Sequence, residues 1–197
     1  MSSEPQLFQG WYAHGKIKYR RSYLNGKLEG EHRGWYSNGK SELQEFYING
    51  KREGKSILWY ENGQLAQQDF YRNGKLEEES KRWRDDGRPW DILTYRNGTR
   101  DGEFVYWHEN GRIDERGFYR NGFLEGELRS WHDNGTVKKH EFYFRDGSYT
   151  RVNLKEKLIL LNLKRRLHSC KYINIIDSYI ISDLSNMICQ HISGDWK

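Results

Sequence analysis

The sequence predicts a mainly β protein, an elongated antiparallel meander of stacked 24-residue β-hairpin repeats followed by a C-terminal α-helical hairpin cap. Three observations carry this. Tyr23, Tyr47, Tyr71, Tyr95, Tyr119 and Tyr143 stand 24 residues apart (47 − 23 = 24), and so do Trp11, Trp35, Trp59, Trp83, Trp107 and Trp131. Each period holds two turn signals, such as Asn25-Gly26 and Asn38-Gly39, with glycines alternately 13 and 11 residues apart (39 − 26 and 50 − 39). After Tyr149 glycine nearly vanishes and Leu and Ile dominate. A fixed period of this length means that one supersecondary unit is repeated and stacked. The chain then divides into an array, 1–150, and a helical cap, 151–197.

Residues 1–7 read as a leader. Phe8 to Ser22 is a partial unit, with Trp11, Tyr12 and His14-Gly15 at the Trp, Tyr and Asn-Gly positions. Full units follow at 23–46, 47–70, 71–94, 95–118 and 119–142. A sixth opens at Tyr143 with Asp146-Gly147 and dissolves near Val152.

Asn-Gly supplies the positive φ that both central residues of a type I′ turn need, so each such pair is expected to close a two-residue hairpin. With ideal turns, Trp35 opposes Glu42, Tyr36 opposes Ser41 and Gly30 opposes Tyr47. Trp35 and Phe46 then share one face, and Tyr36 and Tyr47 the other. Gly30, Gly54, Gly102 and Gly126 recur at one position. Opposite a tyrosine, such a glycine lets the ring lie over bare backbone, and the unequal strand lengths imply a bulge nearby.

The unit 71–94 departs from the others. Glu78 replaces the glycine, Arg84 the tyrosine, Pro89 an aliphatic residue and Thr94 the phenylalanine, and Trp90 is additional. Drift is one reading of these changes, and a kink or binding notch is the other.

In the tail, Asn153 is placed to cap a helix from Leu154 to Leu167, and a second runs from Asp177 or Ser178 to His191. Such a helical hairpin covers the last strand, because open sheet edges invite aggregation and repeat arrays need atypical ends.

Composition bounds the function. The chain is 15% aromatic but only 35% hydrophobic, which favours ring packing between hairpins over one large aliphatic core. Residues 1–150 hold 25 Lys+Arg against 24 Asp+Glu, leaving 8 and 4 for 151–197. A near-neutral array argues against duplex DNA, whose binders present a basic face. Cys170 and Cys189 are too few for a disulfide framework or a zinc ribbon. The N-terminus has no apolar h-region and the chain has no long apolar run, so it reads as intracellular.

The recurring pattern is YLNGKLEGEHRGWYSNGK, YINGKREGKSILWYENGQ, YRNGTRDGEFVYWHENGR and YRNGFLEGELRSWHDNGT. It resembles the MORN repeat, in the variant found in bacterial proteins described as antitoxin-like and in proteins of large DNA viruses. The resemblance covers about residues 8–149, and the mutual similarity of the units is like that of viral copies. It implies a stacked β-hairpin scaffold with no common catalytic residues, associated with protein scaffolding and in some cases with membranes or phosphoinositides.

No nucleophile elbow, P-loop or zinc-protease motif is present. His108 and His132 hold equivalent positions in neighbouring units, two strands apart and too far to share a zinc ion. No catalytic residue, metal or cofactor is expected. The candidate binding or packing ladder is Trp35, Trp59, Trp83, Trp107 and Trp131 with Tyr47, Tyr71, Tyr95 and Tyr119. The candidate basic patch is Lys164, Arg165 and Arg166. A protein partner is the favoured expectation. Anionic membrane contact through the tail, toxin neutralisation, base stacking on the rings and self-association are the alternatives.

Overall fold

Asn-Gly chemistry sets one edge of the sheet. Asn25 and Gly26 have φ of 51° and 75°, and the pairs at 49–50, 73–74, 97–98 and 121–122 repeat this, as type I′ turns require. The computed structural model describes residues 4–151. Its strands are β1 (Gln6–Trp11), β2 (Ile17–Leu24), β3 (Lys27–Leu28), β4 (Gly30–Trp35), β5 (Ser41–Ile48), β6 (Lys51–Arg52), β7 (Gly54–Trp59) and β8 (Leu65–Arg72). They continue as β9 (Lys75–Trp83), β10 (Pro89–Arg96), β11 (Thr99–Trp107), β12 (Ile113–Arg120), β13 (Phe123–Leu124), β14 (Gly126–Trp131), β15 (Val137–Tyr143) and β16 (Tyr149–Arg151). All form one 16-stranded antiparallel sheet in the order β1-β2-β4-β5-β7-β8-β9-β10-β11-β12-β14-β15-β16, with β3, β6 and β13 pairing β2, β5 and β12. The mainly β expectation holds for these residues. The helical cap and the basic patch Lys164, Arg165 and Arg166 lie outside the described residues.

The second set of Asn-Gly pairs does not form two-residue turns. Asn38 has no positive φ, whereas Gly39 sits at 91°. The loop runs from Tyr36 to Lys40, closed by the Tyr36 amide on the Lys40 carbonyl and the Gly39 amide on the Tyr36 carbonyl, each at 2.9 Å. The Asn38 side chain accepts from the Lys40 amide at 2.9 Å, which stabilises the wider turn. The register changes as a result. Gly34 pairs with Leu43 and Trp35 with Ser41, so Glu42 is bulged out, correcting the expected Trp35–Glu42 and Tyr36–Ser41 pairs. Gly30 does pair with Tyr47 and Glu31 with Phe46. Alternation along β4 keeps Trp35 on the Glu31 face, hence with Phe46.

The recurrent glycine has a different reason from the one expected. A Cβ built at Gly30, Gly54 or Gly126 meets nothing within 4 Å, so no ring lies over it. What recurs there is backbone shape, with φ of 79°, 75° and 84°. This is the bulge that splits β3 from β4, β6 from β7 and β13 from β14. Ring-over-glycine packing occurs elsewhere. A Cβ at Gly117 would lie 2.8 Å from Phe104 and 3.0 Å from Leu128, and one at Gly10 would lie 2.3 Å from the Tyr19 ring.

Burial concentrates on the face opposite Trp35 and Phe46. Glu45, Ser56, Asp69, Ser80, Leu93, Phe104, Leu128 and Glu141 are buried, and they occupy two positions of the repeat. The row is polar at first and then apolar. Ser56 donates to Glu45 at 3.2 Å and Ser80 to Asp69 at 2.6 Å. Leu93, Phe104 and Leu128 then form the hydrophobic cluster, with Tyr95, Tyr106, Tyr119, Leu124 and Tyr143 packed around it. Buried polar atoms are tolerable here because they bond to one another.

Candidate interaction surface

Two periodic sets of side-chain bonds hold each unit against the next. At one edge the Tyr12 hydroxyl donates to the Trp35 carbonyl at 2.8 Å, Tyr36 to Trp59 at 2.6 Å and Tyr60 to Trp83 at 2.7 Å. In later units Arg84 Nη2 donates to Trp107 at 3.2 Å and His108 Nε2 to Trp131 at 2.8 Å. At the other edge Glu29, Glu53 and Glu77 accept from the amides of Asn49, Asn73 and Asn97 at 2.6–2.7 Å. Each carboxylate thus meets the exposed amide of the next type I′ turn, a charge-assisted bond. Sequence reading missed both sets. The available signal was that Tyr12, Tyr36, Tyr60, Arg84 and His108 hold one repeat position and all carry a polar hydrogen.

The aromatic ladder is two ladders on opposite faces. Trp35, Trp59, Trp83, Trp107 and Trp131 are half-buried, and each backbone carbonyl receives the bond just described. The Arg116 guanidinium stands 5.7 Å over the Trp131 ring. Tyr47, Tyr71, Tyr95 and Tyr119 are also half-buried, on the face that holds the core. They are tied by polar groups. Tyr47 donates to Glu45 at 2.8 Å, Arg52 lies 5.1 Å over Tyr71, and Arg100 lies 5.4 Å over Tyr119. The Phe104 and Tyr119 rings are 4.8 Å apart.

Glu45 shows how a carboxylate is kept on the buried face. Burial pushes it up, but His32, Tyr47, Arg52 and Ser56 together outweigh that and hold it below the ordinary carboxylate range. Arg52 Nε sits 2.9 Å from Glu45 Oε1, and His32 Nδ1 lies 3.7 Å from Oε2. Glu115 has no such set, and burial raises it.

The departing unit 71–94 forms a distinct feature. The register shift between Pro89 and Asp91 leaves Trp90 as the bulged residue, and a bulge re-aims its side chain. Trp90 is 45% exposed, more than the half-buried ladder tryptophans. Its ring lies between Arg82 at 5.2 Å and Arg84 at 5.5 Å. It lines a hollow of about 550 Å³ with Tyr60, Arg84, Asp85, Asp86, Arg88 and Glu109. The charges around it are internally paired, Arg82 with buried Asp91 and Arg88 with Asp86 at 3.1 Å. Arg84 Nη1 lies 3.8 Å from Glu109, its buried Nε has no hydrogen-bond partner among the described residues, and the indole is the exposed apolar part of the hollow. Of the departing residues, Arg84 and Trp90 contact each other.

Four segments, 28–49, 52–73, 100–121 and 124–147, match the family described as MORN repeat variant. These four segments are similar to MORN repeats. Each MORN match begins just after a type I′ turn, and the matches leave out 74–99, which holds most of the departing unit and Trp90. MORN repeats are often modules for contact with proteins or membranes. No curated protein matches the chain. Among the described residues no group of His, Cys, Asp and Glu is placed to hold a metal ion, and no helix is long and apolar enough to cross a membrane.

Proposed function

We propose that the chain is a non-enzymatic, intracellular scaffold or adaptor whose MORN array presents an extended surface to a protein partner. The observation that carries this reading is Trp90. It is an exposed indole with two guanidinia against its ring, beside the ion pairs Arg82–Asp91, Arg88–Asp86 and Arg84–Glu109. Tryptophan and arginine dominate interface hot spots, and a ring of neutral contacts excludes water from such anchors. Neutralisation of a toxin is one form this binding takes if the partner is an enzyme.

The test is affinity capture with cross-linking from the native source, using the full chain, the Trp90→Ala variant and the Phe123→Ala variant. Phe123 is 77% exposed and serves as the control ring. One stoichiometric partner lost only with Trp90→Ala, with thermal unfolding unchanged, supports the proposal. A partner retained by Trp90→Ala overturns the assignment of the site. Capture of anionic vesicles in place of a protein moves function to the 151–197 segment, where 8 Lys+Arg face 4 Asp+Glu.

A further inference from the structure

β1 differs from the other strands of the array in its charge. Its sequence, Gln-Leu-Phe-Gln-Gly-Trp, has no ionisable side chain, whereas every other described strand longer than two residues carries at least one. Leu7, Phe8 and Trp11 are 59%, 47% and 59% exposed. Natural sheets blunt open edges with charge, proline or bulges, because unpaired N–H and C=O groups accept another strand. Among the described residues the devices here are Glu4 and Pro5 just ahead of the strand and an irregularity of the β1–β2 register at Gly10/Trp11, and none is a charge within the strand.

The edge is also held ready for pairing. One unit later, β4 holds the same place, and its Arg33 and Gly34 pair with Arg20 and Tyr19 of the preceding unit. Gln9 and Gly10 are the equivalents in β1, and among the described residues β1 pairs on its β2 side alone. Phe8 is fixed edge-to-face on Tyr23 at 5.3 Å, and Tyr19 lies over Gly10. Among the described residues the strand is therefore ordered by its inner neighbour with its outer side unpaired.

We propose that β1 is a self-association strand, pairing antiparallel with β1 of a second copy about a two-fold axis through Gln9. An uncharged strand meets its own copy without like-charge repulsion, which is what an isologous contact requires. The axis at Gln9 sets Leu7 opposite Trp11 of the partner subunit on one face, and Phe8 opposite Gly10 of the partner subunit on the other. Leu7 and Trp11, both exposed, are then covered by each other as an apolar pair. A one-residue slip mixes the two faces. A two-residue slip in either direction leaves Trp11 or Leu7 without an apolar partner. The result is one sheet continuous across two arrays.

The test is sedimentation of the full chain across a dilution series, with Gln9→Lys and Gln9→Glu variants measured alone and mixed in equal amounts. Each variant places like charges face to face on the axis. The expected result is a dimer for the natural chain, loss of the dimer for each variant alone, and its return in the mixture. The mixture distinguishes lost pairing from lost folding, since an unfolded variant is not rescued by its opposite charge. A natural chain that stays monomeric at every concentration overturns the proposal. So do a dimer that survives in both single variants, an open-ended series of larger species, and a mixture that stays monomeric.

Discussion

The Arg84 guanidinium lies 5.5 Å from the Trp90 ring, and its Nη2 donates to the Trp107 carbonyl at 3.2 Å. In the first unit the same two positions hold Tyr12 and Lys18, with the ammonium 5.5 Å over the ring and the Tyr12 hydroxyl on the Trp35 carbonyl. Cation and aromatic have exchanged places while both interactions persist. The exchange moves the ring from the ladder position to the bulge, where it is exposed. The swap predicts that Arg84→Tyr with Trp90→Lys restores the arrangement of the first unit. Its urea midpoint should stay near that of the natural chain, whereas Arg84→Ala alone should cost about 1–2 kcal/mol for the lost charged hydrogen bond and ring contact.

The bonds between units predict a graded effect. Tyr36→Phe and Tyr60→Phe each remove one hydroxyl–carbonyl bond and little else. Each should lower unfolding free energy by about 1 kcal/mol in urea titrations. In a stacked array the loss falls on a nearest-neighbour interface, so hydrogen exchange should rise in the two units that share the bond.

Glu78 is the one non-glycine at the bulge position, with φ of 60° where Gly30, Gly54 and Gly126 sit between 75° and 84°. A left-handed backbone costs a side-chain-bearing residue about 1–2 kcal/mol. Glu78→Gly should therefore raise stability, by about 0.5–1 kcal/mol once the entropy of glycine in the unfolded chain is set against it. A fall in the thermal midpoint would refute this account of the position.

Gly117 lies beneath the Phe104 ring and the Leu128 side chain. Adding a Cβ forces both to shift, so Gly117→Ala should destabilise by about 1–3 kcal/mol. Gly34, whose built Cβ comes no closer than 3.4 Å to Leu43, should accept alanine with a smaller loss. Parallel calorimetry of the two variants checks the contrast.

Glu45 gives a pH dependence with a definite sign. Its carboxyl is held below the reference value of 4.5 in the folded chain, so the folded state favours the ionised form more than the unfolded state does. That contribution is complete above pH 4.5 and is lost as pH falls from there through the folded value. Glu115, which burial raises, has the opposite sign and favours folding in acid. Glu45→Gln should flatten the acid limb of a stability–pH curve, while Glu115→Gln should steepen it. Urea titrations at stepped pH measure both.

The period, the edges of the units and the type I′ turns were legible in the sequence because turn chemistry is local. Asn-Gly at Asn25 and Asn49 specifies its own φ wherever it stands, and alternation from Glu31 to Trp35 carries one face along one strand. Three features were decided only by tertiary structure. Asn38-Gly39 closes a wider loop, because the Tyr36 amide meets the Lys40 carbonyl and the resulting bulge at Glu42 moves the partner of Trp35 from Glu42 to Ser41. Gly117 and Gly10 are the glycines that lie under rings, because Phe104 pairs with Gly117 across the β11–β12 hairpin and Tyr19 with Gly10 across β1–β2, and which glycine a ring covers is a matter of packing. Trp90 and Arg84 form a pair, because a bulge brings their side chains together on neighbouring strands. Each of these depends on cross-strand register, which side chains at long sequence separation settle jointly and no short stretch of sequence encodes alone.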